Sequence, residues 1–272
     1  MELVAADSLD LDALTGLFNA GYSDYVVPLK LDRNGLEFTV AVTDIDLGAS
    51  RVAVEDGEPA AFAFLAMRGD EGWIGGMGTV PARRRRGLGR AALEAVLREA
   101  RSRGLASVRL EVIEQNTPAR RLYEKLGFQH VRDLGVWILE GGRPEVTQAQ
   151  PASFDDAHGW IRATRAAPEP WQRADETVEH MRERGLEFEG LKVERDGEAV
   201  GALLYQRGQR PPGVGQLAAR DEQAAAHLLV ALAATGDGLR IVNLPAGDPA
   251  EKALALLQAR RQIGQHEMRL IL

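Results

Sequence analysis

The run Arg84-Arg85-Arg86-Gly87-Leu88-Gly89-Arg90 sets two glycines inside a cluster of arginines, directly ahead of a helical pattern. That is a recipe for an anion site. Successive backbone N–H groups point into the turn, the helix start adds positive potential, and glycine lets an oxygen come close. Arg84, Arg85, Arg86 and Arg90 add charges able to pair with phosphate. The spacing matches neither G-x-G-x-x-G nor a P-loop. A second group, Tyr22, Asp24 and Tyr25, joins two phenol rings to a carboxylate and either receives an ammonium-bearing molecule or packs a pair of helices. The five histidines show no ligand spacing and the chain has no cysteine, so no metal site, disulfide or thiolate nucleophile is expected.

The surrounding pattern predicts the elements that carry these residues. Leu9, Leu11, Leu14, Leu17 and Phe18 follow helical spacing and stop near Gly21. Strands at 51–54, 60–67 and 73–80, joined by Asp56-Gly57 and Gly69-Asp70, read as an antiparallel meander. The third of them holds Gly75, Gly76 and Gly78, a load that marks a bulge or a close approach to its backbone. A helix over 87–103, a strand over 108–112, a helix opened by Thr117-Pro118 and a closing strand at 136–139 complete the first half.

The polar, proline-bearing stretch 141–150 is expected as a linker between a domain at 1–140 and another at 151–272. The second half repeats the first. Asp196-Gly197 falls on Asp56-Gly57 and Gln216-Leu217-Ala218 on Gly76-Met77-Gly78, 140 residues apart, whereas Val242-Asn243-Leu244 falls on Leu110-Glu111-Val112 at 132. The second copy is therefore shorter where the first carries its arginine loop. Asn243 faces Glu111, and Ala255 faces Tyr123.

Two motifs, in order, resemble those of the GNAT acetyltransferase superfamily. Arg84, Gly87 and Gly89 fit R-x-x-G-x-G/A, and Asn116, Ala119, Leu122, Tyr123, Gly127 and Phe128 fit N-x-x-A-x-x-L-Y-x-x-x-G-F. The resemblance implies an α/β fold with a mixed sheet whose fourth and fifth strands splay to admit the pantetheine arm of acetyl-CoA. Thr79 and Val80 are then its backbone partners, the loop from Arg84 through Leu88 to Arg90 holds the pyrophosphate, and Asn116 contacts the arm or orders a water. By motif position Tyr123 protonates the departing thiolate, a phenol of ordinary pKa ~10 being a fit donor at neutral pH. Glu111 occupies a place similar to that of the glutamate proposed as base in the ribosomal-protein alanine acetyltransferase branch. In this superfamily the first helices line the acceptor cleft, where Tyr22, Asp24 and Tyr25 lie.

The expected protein is thus a tandem of two such units, an N-terminal acetyltransferase and a degenerate C-terminal copy that is structural or covers the substrate. It acetylates a primary amine of a small molecule or peptide, with a non-catalytic acyl-CoA-binding regulator as the alternative. A net charge of −7 over 272 residues argues against nucleic acid, and no apolar run approaches the ~20 residues of a membrane helix. A cytoplasmic monomer or homodimer is expected.

Overall fold

A computed structural model describes residues 1–27, 29–141, 147–236 and 238–272. Part of the expected linker, 142–146, lies outside the described residues. The chain divides into two compact units, one of Met1–Val131 with Glu267–Leu272, the other of Arg132–His266. The division falls at 131/132 and 266/267, away from the polar stretch in which composition placed it, because the strand expected to close the first domain packs with the second. Trp137 and Leu139 are buried with Leu203, Leu228 and Ile241, all of the second unit. Met268 and Leu270, from the far end of the chain, are buried among Val96, Leu110 and Phe128 of the first.

The first unit runs β1 (Glu2–Ala5), α1 (Leu11–Gly21), α2 (Arg33–Val42), β2 (Ile45–Glu55), β3 (Glu58–Arg68), β4 (Glu71–Thr79), α3 (Leu88–Ser102), β5 (Ser107–Ile113) and α4 (Thr117–Lys125). Next come β6 (Gln129–Glu140), which passes into the second unit, then β7 (Gln150–Ala152), α5 (Phe154–Thr164), α6 (Asp175–Glu183), β8 (Phe188–Arg195), β9 (Glu198–Gln206) and β10 (Gly213–Ala219). The chain ends with α7 (Glu222–Ala234), β11 (Gly238–Pro245), α8 (Pro249–Leu256) and β12 (Arg260–Ile271), which returns to the first unit.

Strand order in the first unit is β1-β2-β3-β4-β5, antiparallel up to a parallel β4–β5 pair. In the second, β7-β8-β9-β10 are antiparallel neighbours, β10 pairs parallel with β11, and β11 is antiparallel to β6. The glycine-rich strand is therefore interior, between β3 and β5.

The repeat is visible in backbone detail. Asp56-Gly57 and Asp196-Gly197 both have positive φ at the two central positions, the geometry a tight two-residue hairpin demands. Both copies also carry a bulge at a matching glycine. Phe64 pairs with Gly76 but Leu65 with Ile74, which leaves Gly75 extra, and Leu204 pairs with Gln216 but Tyr205 with Val214, which leaves Gly215 extra.

Local signals account for the helix starts. Asp10 caps α1 by accepting from Ala13 N–H at 2.7 Å, so the helix begins after Leu9. Asn116, not Thr117, caps α4, accepting from Ala119 N–H at 3.3 Å. Leu93, Val96 and Leu97 of α3 are buried with Leu65 of β3 and Val108, Leu110 and Val112 of β5. Among the described residues no helix is long and apolar enough to cross a membrane.

Candidate active site and its counterpart in the second unit

Strands β4 and β5 are paired only from Glu71 opposite Ser107 to Trp73 opposite Arg109. Beyond that β4 runs on to Thr79 and β5 to Ile113 without mutual register, so the two strands part. The loop after β4 delivers the chain to α3. Gly87, at φ 82°, is the residue before that helix, and no side chain caps the first turn. Those orphan N–H groups and the dipole remain available to an anion.

The arginines are more occupied than their clustering suggested. Arg84 forms a two-pronged pair with Asp24 at 2.6 and 2.7 Å and also donates to the carbonyls of Thr79 and Gly21. Arg83 and Arg86 share Glu55, and Arg90 pairs with Glu94. Arg85, exposed and at φ 66°, is the arginine of this loop with no side-chain partner among the described residues. Solvent-screened pairs of this kind contribute little to stability, so exchanging a carboxylate for a phosphate costs little.

Asp24 is tied up in the same way. Its carboxyl is held below the usual range by the Arg84 hydrogen bonds, and its charge is spent on that guanidinium. Tyr22 and Tyr25, by contrast, gather with Tyr123 around the gap. The Tyr22 ring lies 5.0 Å from that of Tyr25, and its hydroxyl accepts from Met77 N–H at 3.2 Å. The Tyr123 hydroxyl sits 3.6 Å from Met77 Sδ, and the residue is only 7% exposed.

All three phenols resist ionisation. Burial pushes Tyr22 up against the pull of the Met77 hydrogen bond, and it pushes Tyr25 up against a hydrogen bond with the Asn116 side chain. For Tyr123 burial is reinforced by the neighbouring Tyr22 and Tyr25. Each hydroxyl keeps its proton at neutral pH.

Glu111 stands on the opposite face of β5 from Leu110 and Val112, which are buried in the same cluster as Tyr123. It lies past the last paired residue of that strand, and its Oε2 accepts from Trp73 Nε1 at 2.8 Å. Acid and base candidates thus flank the parted strands from two sides.

Several expectations change in their physical reason. A Cβ on Gly89 would come within 2.7 Å of Thr79 Oγ1 and 3.2 Å of Met77 Cε, so this glycine seats α3 against β4, and the loop's special conformation rests on Gly87. A Cβ on Gly78 would meet the Phe62 ring at 2.7 Å and Gly21 Cα at 3.3 Å, which makes the glycine load of β4 a matter of packing under Phe62 and α1. Val80 already donates to Ala60 O and accepts from Arg83 N–H, and Thr79 O already accepts from Arg84. Asn116 is engaged by its cap and by Tyr25.

Met77 and Trp73 were not singled out from the sequence. A backbone N–H has no side-chain signature, and a tryptophan in a strand reads as core.

The second unit keeps the parting and closes it. β10 and β11 pair only at Gly213–Arg240 and Val214–Ile241. Past that point Arg173, 4% exposed, donates from Nε to Gly215 O at 3.1 Å and from Nη1 to Val242 O at 3.4 Å, one carbonyl on each strand. Its charge is met by Glu169, 3.4 Å away. The connection into α7 has shrunk to 220–221, and Asp221 caps the helix by accepting from Ala224 N–H at 2.8 Å. Asn243 hydrogen-bonds Gln172 and Gln265.

Comparison with known proteins agrees with this architecture. The family model described as Acetyltransferase (GNAT) family matches residues 18–128. The [ribosomal protein bS18]-alanine N-acetyltransferase of Escherichia coli strain K12 is 42% identical over 102 residues, covering 37% of this chain and 69% of the relative. A GCN5-related N-acetyltransferase from Sphaerobacter thermophilus superposes with TM-score 0.74 at 18% identity, covering 99% of this chain and 95% of that one. A tandem GNAT protein from the clavulanic acid biosynthesis pathway gives TM-score 0.70 at 14% identity, covering 99% and 98%.

Proposed function

Because this chain belongs to the acetyltransferase (GNAT) family and is an acyltransferase, we propose that its first unit moves an acetyl group from acetyl-CoA to a primary amine by direct attack. The observation that carries the reading is the parting of β4 from β5 beside an uncapped α3, with Tyr123 on one side and Glu111 on the other.

The residues present fit the cofactor. The first-turn N–H groups of α3, the turn at Gly87 and the side chain of Arg85 suit a pyrophosphate, and Arg84 and Arg86 join them on leaving their carboxylates. When bound, acetyl-CoA supplies a thioester carbonyl. The acceptor amine enters on the Glu111 face, and Glu111 takes its proton directly or through water as the C–N bond forms and the C–S bond breaks. Met77 N–H, now bonded to Tyr22, is a backbone donor at the gap able to polarise a carbonyl. Tyr123 keeps its proton and donates to the departing sulfur.

The acceptor is an amine-bearing small molecule or peptide, and the likeness to a [ribosomal protein bS18]-alanine N-acetyltransferase supports the peptide arm. Mass spectrometry of a panel of amines and of peptides with free N-termini, incubated with acetyl-CoA, tests this. Acetylated product with release of free thiol is expected. Tight acetyl-CoA binding without transfer to any member would favour the regulator instead.

A further inference from the structure

Glu111 does not take its orientation from its own strand alone. Its Oε2 receives the indole N–H of Trp73, a 2.8 Å bond reaching across from β4 at the last point where the two strands are paired. The indole in turn has a seat. A Cβ on Gly75 would lie 2.6 Å from Trp73 Cζ3, 3.0 Å from Cε3 and 2.9 Å from Ile45 Cδ1. No side chain but hydrogen leaves room for the ring there. Gly75 is also the extra residue of the β3–β4 bulge, which turns the strand so that Ile74 and Met77 both join the cluster with Tyr123 while Trp73 stays on the Glu111 face.

We propose that Trp73, laid in the notch of Gly75, is the positioning residue that fixes the Glu111 carboxylate. This rests on the reading of Glu111 as base. The second unit serves as an internal control. Counted from its own bulge glycine, Gly215, the position of Trp73 is held by Gly213, and since Gly213 pairs with Arg240 as Trp73 pairs with Arg109, the position of Glu111 is held by Val242. The notch survives there, with the Phe188 ring 2.9 Å from a Cβ built on Gly215, but indole and carboxylate are absent together. A tryptophan kept for core packing alone has no reason to vanish with a glutamate on the next strand.

The test is a cycle of Trp73→Phe, Glu111→Gln and the double variant, with acetyl-CoA affinity measured by calorimetry alongside turnover. Trp73→Phe keeps a ring and removes the donor. It should lower kcat about tenfold, leave the acetyl-CoA Kd unchanged, and move the acidic limb of kcat/KM to higher pH, since a hydrogen bond to the charged carboxylate is lost. Glu111→Gln should remove that limb, and in its background Trp73→Phe should cost nothing further. Gly75→Ala, which retains the indole but displaces it, should move the limb in the same direction and keeps the idea testable if Trp73→Phe folds poorly. An unmoved pH profile in both variants, or a Trp73→Phe loss that persists in full beside Glu111→Gln, overturns the positioning role while leaving Glu111 as base. Full turnover by Glu111→Gln alone sinks both.

Discussion

A phenol whose ionisation is pushed upward by burial remains a donor throughout the pH range of an ordinary assay. Because the Tyr123 shift is upward, its hydroxyl stays protonated above the ~10 of a free phenol, so this group should impose no alkaline loss of kcat below about pH 10. Tyr123→Phe should lower kcat by ~10²-fold with little change in acetyl-CoA Kd, measured by thiol release and calorimetry. Tyr123 and Glu111 could be picked out from sequence because each sits at a fixed step of a motif or strand. The Arg84–Asp24 pair could not, since sixty residues separate its partners and only the fold brings α1 beside the loop. Trp73 was illegible for a related reason: its partner is on another strand, and which strand depends on a parallel register that no local pattern encodes.

At the level of elements, the two halves differ most where a strand meets a helix. α3 starts from an uncapped glycine after a long loop, and α7 starts from a capping aspartate after a short one, so the first helix keeps N–H groups that the second has spent. Gly89→Ala tests the seating of α3. The added methyl would push the helix start off Thr79 and Met77, and the acetyl-CoA Kd should rise about tenfold although alanine is the better helix former. A second clamp lies at the start of α6, where Asp175 receives His158 and Arg165 from α5 and its C-terminus and Gln216 from β10. Burial alone would raise this carboxyl, but those hydrogen bonds outweigh it and hold it far below the ordinary range. A depressed folded pKa stabilises above the unfolded value and is lost as pH falls, so Asp175→Asn should cost about 2 kcal/mol at pH 7. The gap to wild type should narrow below about pH 4 in urea unfolding series. The acidic first turn of α6 was there to be read; its partners from other elements were not.

For the molecule as a whole, tandem architecture does not mean two sites. Arg173 already bridges the strands that part in the second unit, and calorimetry should count one acetyl-CoA per chain, with Arg173→Met still giving one. That variant should also melt earlier, because Glu169 would be left buried without its cation, a loss of about 3 kcal/mol. Two bound per chain would contradict the plugged cleft. The repeat was legible from its hairpins and glycines, but the exchange of closing strands was not, since both strands carry apolar residues toward their ends and nothing in the local pattern says which core each completes. That exchange bears on synthesis. Residues 267–272 follow the whole of the second unit in the chain yet supply Met268 and Leu270 to the first unit's core. A nascent chain therefore carries an unfinished first unit through translation of everything after it, and a ribosome that stalls before residue 267 releases an acetyltransferase fold with an open edge. Translation past residue 266, rather than past residue 131, becomes the condition for a finished first-unit core.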